Sequence, residues 1–186
     1  TSRSEVTGPA RPIGVRSHAH SRSGLISEVE IPKGGAEGVL LSAGDVQGGF
    51  ALYVQNGKLH FVYNYVASQF FHVESTVQVP DGRHKLRYEF EVTGKPDFAK
   101  GQGAPGRGQL YIDGVLVGQI DIPLTMPLSL GLGGGFVCGA DSGSPVWDKY
   151  RPPFKFTGTL FSVTVDVSGE LIKDDEAALR AVMARQ

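Results

Sequence analysis

Two glutamates on one predicted strand are the first residues whose spacing suggests catalysis. Glu89 and Glu91 lie two positions apart, so in a β-strand both carboxylates point to the same side. Sandwich glycosidases place acid and base carboxylates in this way, so the pair makes glycoside hydrolysis one function to consider. Lys85 and Arg87 share that face, however, and Thr93 stands where a third acid would follow. The row favours a solvated face of alternating charge, and we predict no catalytic residue in this chain.

Two aspartates in a glycine-containing loop suggest a metal site. Asp141 and Asp148 lie in the segment GADSGSPVWDKY, which also offers hydroxyl groups and backbone carbonyls. Hard oxygen ligands of this kind are the ones that Ca²⁺ prefers. The same residues are also typical of tight turns, in which an aspartate accepts hydrogen bonds from nearby backbone N–H groups. The segment is therefore interpreted either as a Ca²⁺ site formed by Asp141 and Asp148 or as a purely structural turn. Calcium is the one cofactor that the residues suggest.

Aromatic residues near a central hairpin suggest sugar binding. Tyr63, Asn64, Tyr65 and Trp147 could form a platform on which the C–H-rich face of a sugar ring stacks. Core packing is the alternative fate of these side chains.

The remaining reactive side chains show no pattern that links them. His60, His72 and His84 fall on separate predicted strands without a shared spacing, so each is expected to act alone. Cys138 lies in an apolar run, and we expect a buried, inert thiol.

The elements that must position these residues are short strands. Residues alternate between apolar and polar from Leu25 to Ile31 and again over 83–92, as in half-buried strands. Asn56-Gly57 and Asp113-Gly114 each separate two such runs, which predicts two-residue hairpins. About ten short strands with turn signals every 8 to 12 residues predict an all-β sandwich of two antiparallel sheets.

The two ends of the chain differ from its middle in composition and in residue pattern. Residues 1–22 are polar and punctuated by Pro and Gly, and we predict a flexible linker or tail. Residues 23–172 are predicted to form the sandwich domain. Asp174 can cap a short C-terminal helix within 173–186, whose Leu179, Val182 and Met183 share one face.

Composition excludes several classes of function. The net charge is -1, so no bulk field recruits nucleic acid or an anionic membrane. The longest uncharged run, residues 122–140, contains prolines and glycines that would leave backbone groups unpaired in lipid, so no membrane span is predicted. We expect a soluble protein, with the choice between bacterial cytoplasm and periplasm left open.

Three longer segments carry a family resemblance. GGAEGVLLSAGDVQGGFALYVQNGKLHFVYNY, GQLYIDGVLVGQIDIPLT and GADSGSPVWDKYRPPFKFTGTLFSVTVDV together resemble the C-terminal region of bacterial arylsulfatases, over roughly Gly24 to Val167. The resemblance implies a concanavalin A-like (laminin-G-like) jelly-roll sandwich that accompanies a sulfatase catalytic domain. Such a domain would pack on its catalytic partner, shape substrate access or support homo-oligomerisation.

The same resemblance implies that the sulfatase chemistry lies elsewhere. Sulfatases mature a Cys or Ser in C/S-x-P-x-R to formylglycine beside a divalent metal. Here Cys138 is followed by Gly139, Ala140 and Asp141, so the motif is missing. We therefore expect a non-catalytic accessory domain of an arylsulfatase, with a lectin-like carbohydrate-binding module as the alternative and a sandwich glycoside hydrolase after it.

Overall fold

The computed structural model describes residues 22–126, 135–141 and 143–166, and within these ranges the chain forms ten strands. The strands are β1 Arg22–Ile31, β2 Gly38–Asp45, β3 Gly48–Gln55, β4 Lys58–Tyr65, β5 Gln69–Gln78, β6 Gly82–Val92, β7 Gly106–Ile112, β8 Val115–Ile122, β9 Phe136–Cys138 and β10 Thr159–Asp166. The first sheet has the order β10-β1-β6-β7-β8 and the second has the order β5-β4-β3-β2-β9. All the strand pairs are antiparallel, so the predicted two-sheet sandwich is confirmed.

The two predicted hairpin turns are present. Asn56 and Gly57 have φ angles of 52° and 72°, and Asp113 and Gly114 have φ angles of 50° and 83°. Positive φ at both central residues matches the right-handed twist of the strands that the turn joins. The turn residues thus set the register of β3 with β4 and of β7 with β8.

The main core lies between the two sheets. Leu25, Val29 and Ile31 of β1 point inward and are buried, as their alternation predicts. The rings of Phe61 and Tyr88, one from each sheet, stack with centroids 3.4 Å apart. Each fully buried apolar side chain contributes about 1.5–3 kcal/mol to stability. The sandwich therefore rests on the period-two pattern of its strands.

A long loop covers the outer face of the second sheet. This outer loop, residues 139–141 and 143–158, is tied to β2 and to the residue before it, because Val39 donates its N–H to the carbonyl of Phe154 and Thr157 donates its N–H to the carbonyl of Glu37. A Cβ at Gly38 would collide with the carbonyl of Lys155, so the close approach requires glycine there. The last strand, β10, begins at Thr159, after the residues that bond to Val39 and Glu37.

The predicted segment boundaries lie near the limits of the described residues. Arg22 already belongs to β1. The rest of the predicted tail and the predicted helix 173–186 lie outside the described residues. The loop between β6 and β7 holds a short 3-10 helix, Phe98–Lys100, which is closed by a hydrogen bond from the N–H of Asp97 to the carbonyl of Gln102. Within the described residues, no helix is long and apolar enough to cross a membrane.

Candidate binding surface

Aromatic rings form a continuous row across the outer face of the second sheet. The ring of Tyr53 on β3 lies 5.2 Å from that of Tyr150 in the outer loop and 4.9 Å from that of His60 on β4. The row continues from His60 to His72 on β5 at 5.3 Å, and from His72 to Trp147 of the outer loop at 4.4 Å. Three rings of the sheet thus follow one another with a ring of the outer loop at each end, and these contacts hold the loop against the sheet.

The side chain of Asn64 on β4 holds the outer loop against the second sheet. Its side chain is fully buried, and its Nδ2 donates to the carbonyls of Val146 and Val46, each at 3.0 Å. Its Oδ1 accepts a hydrogen bond of 2.8 Å from the backbone N–H of Ala67. One amide group therefore joins β4, the turns beside it and the outer loop. Asn64 is a structural anchor whose hydrogen-bonding groups are already used.

A buried carboxylate holds the other side of the outer loop. Asp141 is buried, and its Oδ2 accepts a hydrogen bond of 2.7 Å from the hydroxyl of Tyr150. Burial raises the pKa of the Tyr150 hydroxyl, and the neighbouring Asp141 carboxylate raises that pKa further. The phenol therefore keeps its proton and remains a donor. The backbone N–H of Asp141 also donates to the carbonyl of Pro153 at 3.1 Å.

The two aspartates predicted to bind calcium lie in different environments. Asp141 is buried and bonded to Tyr150, whereas the side chain of Asp148 is 81% exposed, with Lys149 at 4.0 Å. Within the described ranges, no three side chains of His, Cys, Asp or Glu come together in a way that could hold a metal ion. Calcium at Asp141 and Asp148 stays a prediction.

His60 and His72 form a hydrogen-bonded pair that the sequence did not indicate. Nδ1 of His60 and Nε2 of His72 lie 3.0 Å apart, and Nε2 of His60 lies 3.0 Å from the carbonyl of Gln55. Burial lowers the pKa of both rings, and His60 lowers that of His72 further. Antiparallel pairing places His60 opposite Glu74 and Val62 opposite His72, so the two histidines are diagonal neighbours on one face.

The exposed end of this row is the best candidate for ligand contact. We call it the aromatic edge surface, and it consists of Phe70, His72 and Trp147. The side chain of Phe70 is 44% exposed, and its ring lies 6.5 Å from that of Trp147, nearly parallel to it. An ion pair between Lys58 and Glu74, with Nζ and Oε1 2.7 Å apart, lies beside it on the same face. Apolar rings beside charged hydrogen-bonding groups are thus presented at the edge strand β5.

The predicted sugar platform is only partly assembled. Trp147 does lie on the aromatic edge surface. Tyr63 is on the opposite side of the sheet from Asn64, packs against the main core and accepts a hydrogen bond from the N–H of Met126 at 2.9 Å. Tyr65 is two residues further along β4, on the side of Tyr63. Phe70 and His72 were missed, although the alternation of β5 already placed them on one face.

The predicted charged row on β6 consists of ion pairs. Oε1 of Glu89 lies 2.6 Å from Nη1 of Arg87, and Oε1 of Glu91 lies 3.2 Å from Nη2 of Arg22. The guanidinium of Arg87 also lies 4.2 Å from the centre of the Tyr111 ring. Both carboxylates are thus paired with cations on the outer face of the first sheet, as expected for a charged strand face.

An apolar cavity of about 280 Å³ opens between the two sheets. Its walls include aromatic residues of both sheets, and Phe136 and Val165, which are 61% and 42% exposed, lie at its rim. The expectation of a buried Cys138 is wrong: the thiol is exposed, because only three residues of β9 pair with β2 at the sheet edge.

Solved structures of other proteins share this architecture. The CBM40 of the Ruminococcus gnavus IT-sialidase, bound to alpha2,3 sialyllactose, is 15% identical over 87% of this chain and 83% of that chain, with a TM-score of 0.52. Its complex with alpha2,6 sialyllactose gives the same identity and coverage, with a TM-score of 0.50. Domains LG4-5 of the mouse laminin alpha1 chain are 12% identical over 83% of this chain and 38% of that chain, with a TM-score of 0.48.

The likeness to the CBM40, together with the order of the strands, defines the class of fold. The chain is a two-sheet antiparallel jelly-roll sandwich of the concanavalin A-like (laminin-G-like) kind, as predicted. No protein-family model and no curated protein sequence matches the chain. The resemblance to arylsulfatases stays a prediction.

Proposed function

We propose that this chain is a non-catalytic carbohydrate-binding domain whose ligand stacks on the aromatic edge surface. The observation that carries the proposal is the exposed ring of Phe70 on the edge strand β5, which lies nearly parallel to the half-buried ring of Trp147 in the outer loop. Aromatic faces pack well against C–H-rich surfaces such as one side of a sugar ring. Large apolar side chains exposed side by side at a rim of polar groups are typical of binding sites.

The polar groups beside the rings suit a saccharide. His72 is half-buried against Trp147, so it can exchange hydrogen bonds with a hydroxyl group while its position stays fixed. Glu74 offers a carboxylate acceptor and Lys58 an ammonium donor, and their mutual ion pair holds both in place. A few fixed polar groups beside an apolar platform give orientation to a ligand that the rings alone would bind without preference. The sialyllactose bound by the sialidase CBM40 is in keeping with saccharide binding on this fold.

The proposal is tested by titrating a panel of oligosaccharides and polysaccharides, with calcium and with a chelator, by calorimetry and Trp147 emission. Phe70→Ala is expected to weaken binding about two- to tenfold, since one aromatic contact supplies about 0.5–1.5 kcal/mol beyond its buried area. Phe161→Ala is the matched control. It removes a phenylalanine that is 50% exposed on the first sheet, where its ring lies 4.5 Å from the guanidinium of Arg83.

The two variants separate the possible outcomes. Saccharide binding that weakens in Phe70→Ala and not in Phe161→Ala supports the proposal. Equal affinities of both variants place the ligand elsewhere, and a blank result over the whole panel overturns carbohydrate binding. Loss of binding only in the chelator would assign calcium to the site, with Asp141 and Asp148 as the first ligands to replace.

A second candidate function is docking onto an arylsulfatase catalytic domain. It is favoured by the exposed apolar edge at Phe136 and Val165, which a partner domain of the kind implied by the resemblance would cover. The test is to express a bacterial arylsulfatase catalytic domain with and without this chain. Aryl-sulfate turnover or thermal stability that rises with the chain, and falls back with Phe136→Asp, supports docking. No change with the unaltered chain rules it out for that enzyme.

A further inference from the structure

The hydrogen bonds of the His60–His72 pair fix which ring nitrogens carry protons. Nε2 of His60 faces the carbonyl of Gln55 at 3.0 Å, and a carbonyl can only accept, so this nitrogen carries hydrogen. When the His60 ring is neutral, its Nδ1 carries no hydrogen, so it accepts a hydrogen bond of 3.0 Å from Nε2 of His72. Because the hydrogen of neutral His72 is on Nε2, its Nδ1 carries none. Among the described residues, none forms a hydrogen bond with that nitrogen.

One proton can enter this pair without breaking any of its hydrogen bonds. If His72 holds the charge, its Nδ1 becomes an N–H. If the proton between the rings moves to His60, His72 is neutral but still carries hydrogen at Nδ1. A second proton would place hydrogens on both facing nitrogens, 3.0 Å apart, and would break the bond between the rings. The pair therefore titrates as one unit over the accessible range.

The surroundings compensate the added charge only in part: the Glu74 carboxylate raises the pKa of both rings, but burial lowers it more. Tyr53 of β3 stacks on His60 and stays protonated, because burial raises the pKa of its hydroxyl. Lys58 of β4 and Glu74 of β5 face the pair, but they neutralise each other at 2.7 Å. On the outer loop Trp147 is uncharged. The neighbours Asp148 and Lys149 of that loop are exposed and of opposite sign.

We infer that the His60–His72 pair takes up a single proton, which converts Nδ1 of His72 from an acceptor into a donor and makes the aromatic edge surface select acidic saccharides. This inference rests on the proposed function for the identity of the ligand. In the neutral state the surface offers a bare nitrogen to a sugar hydroxyl. In the protonated state it offers an N–H and a net positive charge, which favour a carboxylate.

The proton is detected without any ligand. Trp147 is the only tryptophan of the chain, and its ring lies 4.4 Å from that of His72. An imidazolium quenches indole emission by accepting an electron, whereas neutral imidazole quenches it weakly. Between about pH 8 and pH 5 we expect emission to fall along a one-proton curve, with a midpoint below the ordinary histidine pKa of about 6.5. His72→Gln should abolish the transition, and the matched control His84→Gln, on the first sheet, should retain it.

A second variant tests whether the rings act as a unit. His60→Gln removes the ring that accepts the hydrogen bond of His72 and shares its proton, so the midpoint should move away from that of the unaltered protein. An unchanged midpoint means that the rings titrate independently, and a two-proton curve means that both become charged; either result overturns the inference. Long-range ¹H–¹⁵N spectra of the unaltered protein at neutral pH should show hydrogen on Nε2 of both rings. A different tautomer overturns it as well.

The preference for acidic saccharides is tested with trigalacturonate and its fully methyl-esterified form. From pH 7.5 to pH 5 the affinity for the acid relative to the ester is expected to rise about three- to tenfold in the unaltered protein, and to stay flat in His72→Gln. A ratio that rises equally in both proteins overturns the role of the pair in selection. If neither compound binds while the fluorescence transition is present, the preference for acidic saccharides is overturned and the proton pair stands.

Discussion

Replacing Asn64 with aspartate should detach the outer loop from the sheet. The change keeps the size of the side chain and the acceptor that receives the N–H of Ala67 at 2.8 Å. It replaces the Nδ2 donor by a second oxygen, which then faces the carbonyls of Val46 and Val146 at 3.0 Å. The introduced charge is fully buried, and among the described residues the hydrogen-bond partners of the Asn64 side chain are all backbone groups.

The magnitude follows from this geometry. Two hydrogen bonds are lost, each with a net contribution of about 0.5–1.5 kcal/mol. A buried charge without a partner raises the total loss to about 3–5 kcal/mol at neutral pH. The loss should shrink as the pH falls, because the introduced carboxyl group can take up a proton and donate one hydrogen bond. A domain of this size has a total stability of only about 5–15 kcal/mol, so the change is easily measured.

Urea unfolding monitored by circular dichroism gives the free energy of unfolding, and Trp147 emission reports the outer loop separately. Asn56→Asp is the matched control, because it makes the same chemical change at an exposed turn where Asp also tolerates a positive φ. It should change stability by less than about 1 kcal/mol. If Asn64→Asp is as stable as Asn56→Asp, the amide does not anchor the loop and the reasoning fails.

Three further predictions use other contacts of the fold. Tyr150→Phe removes the donor to the buried Asp141 carboxylate and should cost about 1.5–3 kcal/mol in urea unfolding; a loss below about 0.5 kcal/mol would contradict that hydrogen bond. Burial lowers the pKa of His84, but the hydrogen bond to Asp113 outweighs it and raises the pKa above its ordinary value. The resulting stabilisation is complete below about pH 6.5 and is lost as the pH rises through the raised pKa, so the stability gap to His84→Gln should be wider at pH 5 than at pH 9. The exposed Cys138 should react with a thiol reagent in the folded protein. A thiol that reacts only after the protein has been unfolded would contradict this exposure.

Much of the fold follows from local sequence. Alternation in β1 and β6 predicts which residues face the core, because successive side chains of a strand point to opposite sides. Asn-Gly and Asp-Gly predict two hairpins, because few other residue pairs accept positive φ in succession. The start of β10 could not be predicted in this way, since Phe154 and Phe156 continue the apolar pattern but bond to Val39 of β2 and to Gly139.

The candidate site, in contrast to the strands, depends mainly on the tertiary structure. The sequence by itself determined the strands, their inward faces and the presence of one tryptophan in a loop rich in turn residues. Only the tertiary structure decided that Trp147 meets Phe70 and His72, and that His60 bonds to His72. The physical reason is that strand periodicity tells which side a residue faces, whereas strand register and the path of a covering loop depend on contacts between residues far apart in the chain.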